Sequence, residues 1–122
     1  MEGSSWFISY ENLAMFLPYI ILACTGYYFK NNPPRKINRM MGYRTKRSMN
    51  SQEAWDFSQV YSSSLLFTWS IAGMVGLILQ LYVQKSVDPT SFAISSIGIL
   101  LVICAGVFYF TERELKQNFP EE

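Results

Sequence analysis

The sequence predicts an all-α membrane protein: three transmembrane helices, with a cytoplasmic basic loop that contains a short interfacial amphipathic helix. Two observations predict it. Three windows, residues 12–29, 57–84 and 89–111, contain no Lys, Arg, Asp or Glu. Each approaches or exceeds the roughly 20 residues that a helix needs to cross about 30 Å of hydrocarbon. The cations, in turn, gather between the first two windows and after the third. The chain of 122 residues is 50% hydrophobic with a net charge of only +1, so the placement of charge is informative and its excess is not. A soluble chain of this length has no interior that could hide three such helices. One domain, residues 1–122, is expected, with helices near 8–30, 53–84 and 90–112 and the loop at 31–52.

Orientation follows from the cations. Lys30, Arg35, Lys36, Arg39, Arg44, Lys46 and Arg47 lie between the first and second windows, Arg113 and Lys116 follow the third, and Lys85 alone separates the second from the third. Nine cations against one place the loop and the C-terminus in the cytoplasm and the N-terminus outside the cell membrane. The N-terminal stretch has neither Lys nor Arg and no small-residue cleavage site after an apolar core, so a cleaved signal peptide is not expected. Aromatic belts agree: Trp6, Phe7, Tyr10, Tyr82 and Phe92 at the outer boundary, Tyr27, Tyr28, Trp55, Phe108 and Tyr109 at the inner one.

The first helix puts Glu11, Ala14, Pro18 and Thr25 on one side and Leu13, Phe16, Leu17, Ile20 and Cys24 on the other. Pro18 lacks an amide proton and is expected to kink the helix about Ala14. On the second helix, Phe57, Val60, Ser64, Phe67, Ile71, Val75, Ile78 and Tyr82 form a lipid-facing arc. The opposite arc carries Asp56, Gln59, Ser62, Ser63, Ser70, Gly73, Gly76 and Gln80, small or polar groups suited to helix packing. Ala72 and Gly76 make a small-xxx-small pair, read as close packing. The third helix repeats the theme with Ser91, Ser95, Gly98 and Ala105. Glu11 and Gln80 lie at similar depth near the outer end. They form either an outward-facing polar pocket or, for Glu11, a carboxylate at the head-group level.

The residue inventory excludes most site chemistry. There is no His, and the two cysteines, Cys24 and Cys104, fall inside the spans. No metal site, cofactor or catalytic nucleophile–base pair is expected, and no enzyme. Nucleic acid is not an expected partner either, because the basic residues lie against a bilayer and anionic lipid head groups account for them.

The loop has its own organisation. Asn31, Asn32, Pro33 and Pro34 stop the first helix. Ile37, Met40 and Met41 then recur at i, i+3 and i+4 among Arg35, Lys36 and Arg39, the pattern of a short helix lying on the inner interface. Gly42 is placed to end it in a left-handed conformation. Asn50, with Glu53 three residues on, reads as the capping box of the second helix. Topology needs only cations, yet Asn38, Gly42, Tyr43, Arg44, Thr45, Ser48 and Trp55 stand at set spacings among them.

That spaced set, Asn38, then Gly42-Tyr43-Arg44-Thr45, then Ser48-Met49 and Trp55, resembles the signature of the SdpI/YfhL family of small bacterial membrane proteins. Ser58 and Gln59 stand where that family often has Ala-Asn, and larger members carry further spans. The resemblance implies immunity to a secreted antimicrobial peptide toxin, with the motif residues, Asp56 and Gln59 as the functional set. Arg44 is expected to pair with Asp56 or Glu53, the alternative being a solvated or lipid-bound cation. Thr45 and Ser48 are expected to bond helix ends. The outer Glu11 and Gln80 would receive the toxin. A second reading is a membrane sensor whose loop docks a soluble cytoplasmic regulator. Transport by three spans without internal repeats would need a homo-oligomer.

Overall fold

The computed structural model describes residues 10–84 and 88–120. Trp6 and Phe7 of the expected aromatic belt, and Lys85, lie outside the described residues. Within them the chain is all helical: α1 (Tyr10–Ala14), α2 (Leu17–Asn31), α3 (Gln52–Gln84) and α4 (Pro89–Asn118). Three stretches, Tyr10–Asn31, Gln52–Gln84 and Pro89–Asn118, are long and apolar enough to cross a membrane. The protein is a multi-pass membrane protein.

The first span breaks where Pro18 requires it. Pro18 sits in the first turn of α2. Ahead of it, the Met15 and Phe16 amides reach back only three residues, to the Asn12 and Leu13 carbonyls at 3.1 Å each. The helix therefore tightens into a turn and restarts. α3 is 33 residues long, about 50 Å at 1.5 Å per residue, so it outruns the roughly 30 Å of hydrocarbon. α4 continues beyond residue 112 to Asn118 because Leu115 is buried and the Phe119 ring lies 5.6 Å from that of Phe57.

α3 is the centre of the bundle. It packs against α2 and α4, and α1 rests on α4. Closeness of backbone decides the faces. A Cβ on Gly26 would lie 2.7 Å from the Phe67 amide nitrogen and 2.8 Å from the Ser63 carbonyl oxygen, so α2 and α3 touch main chain to main chain. Tyr19 is fully buried, its ring over Gly73 of α3 and its hydroxyl donating to the Ser96 carbonyl of α4 at 2.6 Å. One side chain thus ties three helices. Trp69 covers Gly106 in the same way and meets Phe110 edge-on at 5.6 Å. Leu77, Leu81, Phe92, Ile103 and Val107 complete the core around Tyr19.

Polarity misjudged two of the three faces. On the first span Tyr19, Ala23 and Gly26 are buried while Glu11, Ala14 and Pro18 are exposed. On α4 the buried stripe is Phe92, Ser96, Ile103, Val107, Thr111 and Leu115, and Ser91, Gly98 and Ala105 are exposed. Lipid solvates apolar groups as well as a core does, so fit between helices, rather than hydrophobicity, selects the packed face. The α3 arc fared better: Gln59, Ser62, Ser63, Ser70 and Gly73 are buried, and Val60, Ile71, Val75, Ile78 and Tyr82 are exposed. Asp56, Ala72 and Gly76 depart from it and are exposed. Of the belt aromatics, Tyr10, Tyr27, Tyr28, Tyr82, Phe108 and Tyr109 are exposed, whereas Trp55 and Phe92 are buried in helix packing.

Candidate functional site: a loop clamped to two helices

No helix forms between Asn31 and Gln52. The expected amphipathic helix is replaced by a side-chain turn. The Asn38 carboxamide oxygen accepts from the Met40 and Met41 amides at 2.9 and 2.7 Å, and its nitrogen donates to the Lys36 carbonyl at 2.9 Å. The helical spacing of Ile37, Met40 and Met41 was real, but a local carboxamide competes well for the amides a first helical turn would leave open. Met40 consequently stands 86% exposed.

Gly42 then reverses the chain with φ +99°, a conformation that disfavours any side chain. The space a Cβ would need is taken by the Gln59 carboxamide and Pro34. That Gln59 amide is the centre of the site. It accepts from the Tyr43 N–H at 2.7 Å and donates to the Tyr43 carbonyl at 2.8 Å, pairing both main-chain groups of one residue as a neighbouring strand would. It also donates to Ser58 Oγ at 3.2 Å. One turn earlier on α3, the fully buried Trp55 donates its indole N–H to the Pro34 carbonyl at 2.7 Å. Trp55 and Gln59, four residues apart on one helix face, hold two separate points of the loop.

The phenol of Tyr43 reaches the other helix. It donates to Glu112 Oε1 of α4 at 2.7 Å, while Arg47 Nε lies 3.4 Å from Glu112 Oε2. Burial first, and then the adjacent Glu112 carboxylate, raise the Tyr43 phenol well above the ordinary tyrosine range. Just after Tyr43 a second small turn closes, from Thr45 to Ser48. The Thr45 amide donates to Ser48 Oγ at 2.8 Å and the Ser48 amide to Thr45 Oγ1 at 3.1 Å. These two residues bond each other, and Ser48 Oγ also donates to the Tyr43 carbonyl at 3.2 Å, so they tie the loop to itself and not to helix ends.

Arg44 does not do what its spacing suggested. It is exposed and donates to the Arg39 carbonyl. The ion pair formed among the described residues is Arg47–Glu112, and neither Asp56 nor Glu53 joins one. With Gly42 bent and Tyr43 clamped on both sides, the next residue is turned outward. Asp56 is exposed and accepts from Gln52 Nε2 at 2.7 Å, the same nitrogen that donates to the Arg35 carbonyl at 2.6 Å. The α3 cap is Ser51, whose hydroxyl accepts from the Ala54 amide at 3.1 Å, in place of the expected Asn50–Glu53 box. Glu112 and Arg47 were missed as partners. Glu112 is the first charge after the last apolar window, level with the loop, and that depth was the available signal.

Beneath the clamp lies a cavity of about 230 Å³ bordered by Thr25, Gly42, Tyr43, Gln59, Ser62 and Ser63, among others. That is room for a few waters at about 30 Å³ each, and below the roughly 300 Å³ at which ligand pockets begin. At the other end of the bundle, Glu11 and Gln80 do not meet. Gln80 donates to Ser95 Oγ at 3.1 Å and borders a groove of about 760 Å³ between α3 and α4, with Gly76 and Gly98 along it. Glu11 borders a separate groove of about 530 Å³ between α1 and α4. The two grooves use different faces of α4.

A membrane bundle of three spans, with a long connection pinned under two helices by Trp55, Gln59 and Glu112, is the class of protein that fold and site define. The chain belongs to the SdpI/YfhL protein family, whose model matches residues 35–111 and so takes in Gly42, Tyr43, Arg47, Trp55 and Gln59 of the clamp, ending one residue short of Glu112. It is 35% identical over 98 residues to the uncharacterized protein YfhL of Bacillus subtilis (strain 168), a match covering 79% of this chain and 80% of that protein. No solved structure matches the chain.

Proposed function

We propose that this chain is a non-catalytic membrane immunity protein that protects a bacterial cell from a secreted antimicrobial peptide toxin. Family membership supports the reading, through the immunity its resemblance implies. The structural observation that carries it is the α3–α4 groove. Gly76 and Gly98 have nothing within 4 Å of where a Cβ would stand, so an apolar segment can approach the backbone there. Gln80 and Ser95, bonded to each other at 3.1 Å, supply donors and acceptors in the same groove. In the orientation the cations favour, that end faces outward, toward a toxin arriving from outside. The clamped loop sits at the cytoplasmic end and fixes the helices that frame the groove. Glu11, in its own groove, is not part of this site.

The test is survival across a titration of a secreted peptide toxin, in sensitive cells carrying wild type or the double variant Gly76→Leu, Gly98→Leu at matched membrane abundance. Wild type should raise tolerance and the filled groove should remove that gain. Protection unchanged in the filled variant would discard the groove. Absence of protection by wild type would discard immunity and favour a sensor, read by co-purification of a soluble regulator on the exposed loop cations Arg35, Lys36, Arg39, Arg44 and Lys46.

A further inference from the structure

The apolar run of α4 ends at Thr111, and just past it three cations converge from two different elements. Arg47 comes from the loop turn, and Arg113 and Lys116 from α4. Together with Gln117 they border a groove of about 640 Å³ that also takes in Phe108, Tyr109 and Glu112. Tyr109, Arg113, Lys116 and Gln117 fall at i, i+4, i+7 and i+8, one face of a helix. Phe108 and Tyr109 are 55% and 61% exposed, so the apolar part of the groove opens to lipid. The groove therefore straddles the level at which hydrocarbon gives way to head groups.

From this arrangement we propose a binding site for the phosphate of an anionic phospholipid, formed by Arg47, Arg113 and Lys116. Glu112 is the obvious objection, since a free carboxylate would repel a phosphate. It is not free: the Tyr43 hydroxyl occupies one oxygen and Arg47 faces the other. Arg113 and Lys116, by contrast, enter no ion pair among the described residues and keep their donors for a ligand. A guanidinium fork matches two phosphate oxygens, and the ammonium adds a point charge beside it. Phe108 and Tyr109 lie where the glycerol and the first acyl carbons of the same molecule would rest. A lipid, unlike a free anion, uses both halves of the groove. This site is independent of the proposed toxin groove, which lies nearer the start of α4.

Native mass spectrometry of the full chain, released from vesicles of mixed phosphatidylglycerol and phosphatidylcholine, reads the retained lipid directly. Wild type should hold phosphatidylglycerol in preference. The double variant Arg113→Gln, Lys116→Gln should lose retention by roughly fivefold for each cation removed. The equally charged change Arg35→Gln, Lys36→Gln, at exposed loop positions outside the groove, should leave it intact. Arg113→Lys with Lys116→Arg, which preserves charge, should restore most of it. Should the double Gln variant not fold, Lys116→Gln alone carries the comparison. Equal loss in both Gln pairs, no preference in wild type, or displacement of the lipid by inorganic phosphate at equal concentration would each overturn the proposal.

Discussion

Two glutamines on α3, Gln59 and Gln80, mark the two ends of the bundle and have opposite fates. Gln59 is 1% exposed and satisfies both groups of its amide on one residue of the loop. Gln80 is half-buried, bonded to Ser95 and Gln84, and borders an open groove. The glycines divide the same way: Gly26 meets the α3 backbone, whereas Gly76 meets nothing. In a membrane, then, a polar or small residue does not by itself announce packing. It packs where the neighbouring backbone or loop has been brought to it, and elsewhere it leaves a surface that something else can fill. The loop end is closed by the chain itself; the opposite end is left open.

The largest way to break the closed end is Trp55→Ala. The indole is fully buried and holds the Pro34 carbonyl, so truncation removes packing and strands an acceptor. A loss of about 3–5 kcal/mol is expected, read as unfolding in detergent or bicelles. A loss under about 1 kcal/mol would mean that the loop is not fastened through this residue.

Gln59→Ala is the next step. The Tyr43 amide loses its partner, the Tyr43 carbonyl keeps only the Ser48 hydroxyl at 3.2 Å, and the space beside Gly42 opens. Two net hydrogen bonds predict about 1–3 kcal/mol, with protease cleavage or amide exchange rising first in residues 35–48. Gln59→Glu sharpens the assignment. A carboxylate keeps the acceptor for the Tyr43 amide but cannot donate to its carbonyl, so the loop should loosen while remaining attached. If unfolding and exchange in Gln59→Ala match wild type, the clamp is not what closes this end.

How much of this was legible beforehand differs between the ends for a physical reason. Windows free of charge gave the spans because hydrocarbon excludes charge wherever it falls in sequence. Gly42 was legible as a left-handed turn because only its own backbone is concerned. The motif drew attention to Tyr43 and Trp55 but not to what they bind. Arg44 and Arg47 carry the same charge three residues apart, and which one faces Glu112 is decided by the bend at Gly42 and the Thr45–Ser48 turn. Asn38 turned a helical pattern into a loop through a side-chain bond that periodicity does not register. The faces of α2 and α4 were misread because polarity was taken as the packing signal. On α2, Tyr19 and Gly26, one large and one absent side chain, set the packed face instead.

The finest test of the comparison uses one methyl group, placed at each end in turn. In Gly26→Ala the new Cβ would stand 2.7 Å from the Phe67 nitrogen and 2.8 Å from the Ser63 oxygen. Those atoms are main chain in a continuous helix and cannot step aside, so α2 and α3 must separate. Overpacking of this kind costs about 1–3 kcal/mol. In Gly76→Ala nothing lies within 4 Å. The methyl meets no obstacle, and replacing glycine inside a helix removes a backbone-entropy penalty of about 0.5–1 kcal/mol. Gly76→Ala should therefore unfold no more easily than wild type, and slightly less easily if anything. The two variants have identical chemistry on helices of the same bundle, so detergent, expression and propensity effects cancel in the difference between them. A destabilised Gly76→Ala would mean that the α3–α4 groove is closed in the membrane, by its own helices or by a second copy of the chain. The groove would then be unavailable to a toxin, and the contrast between the two ends would fail at its open end.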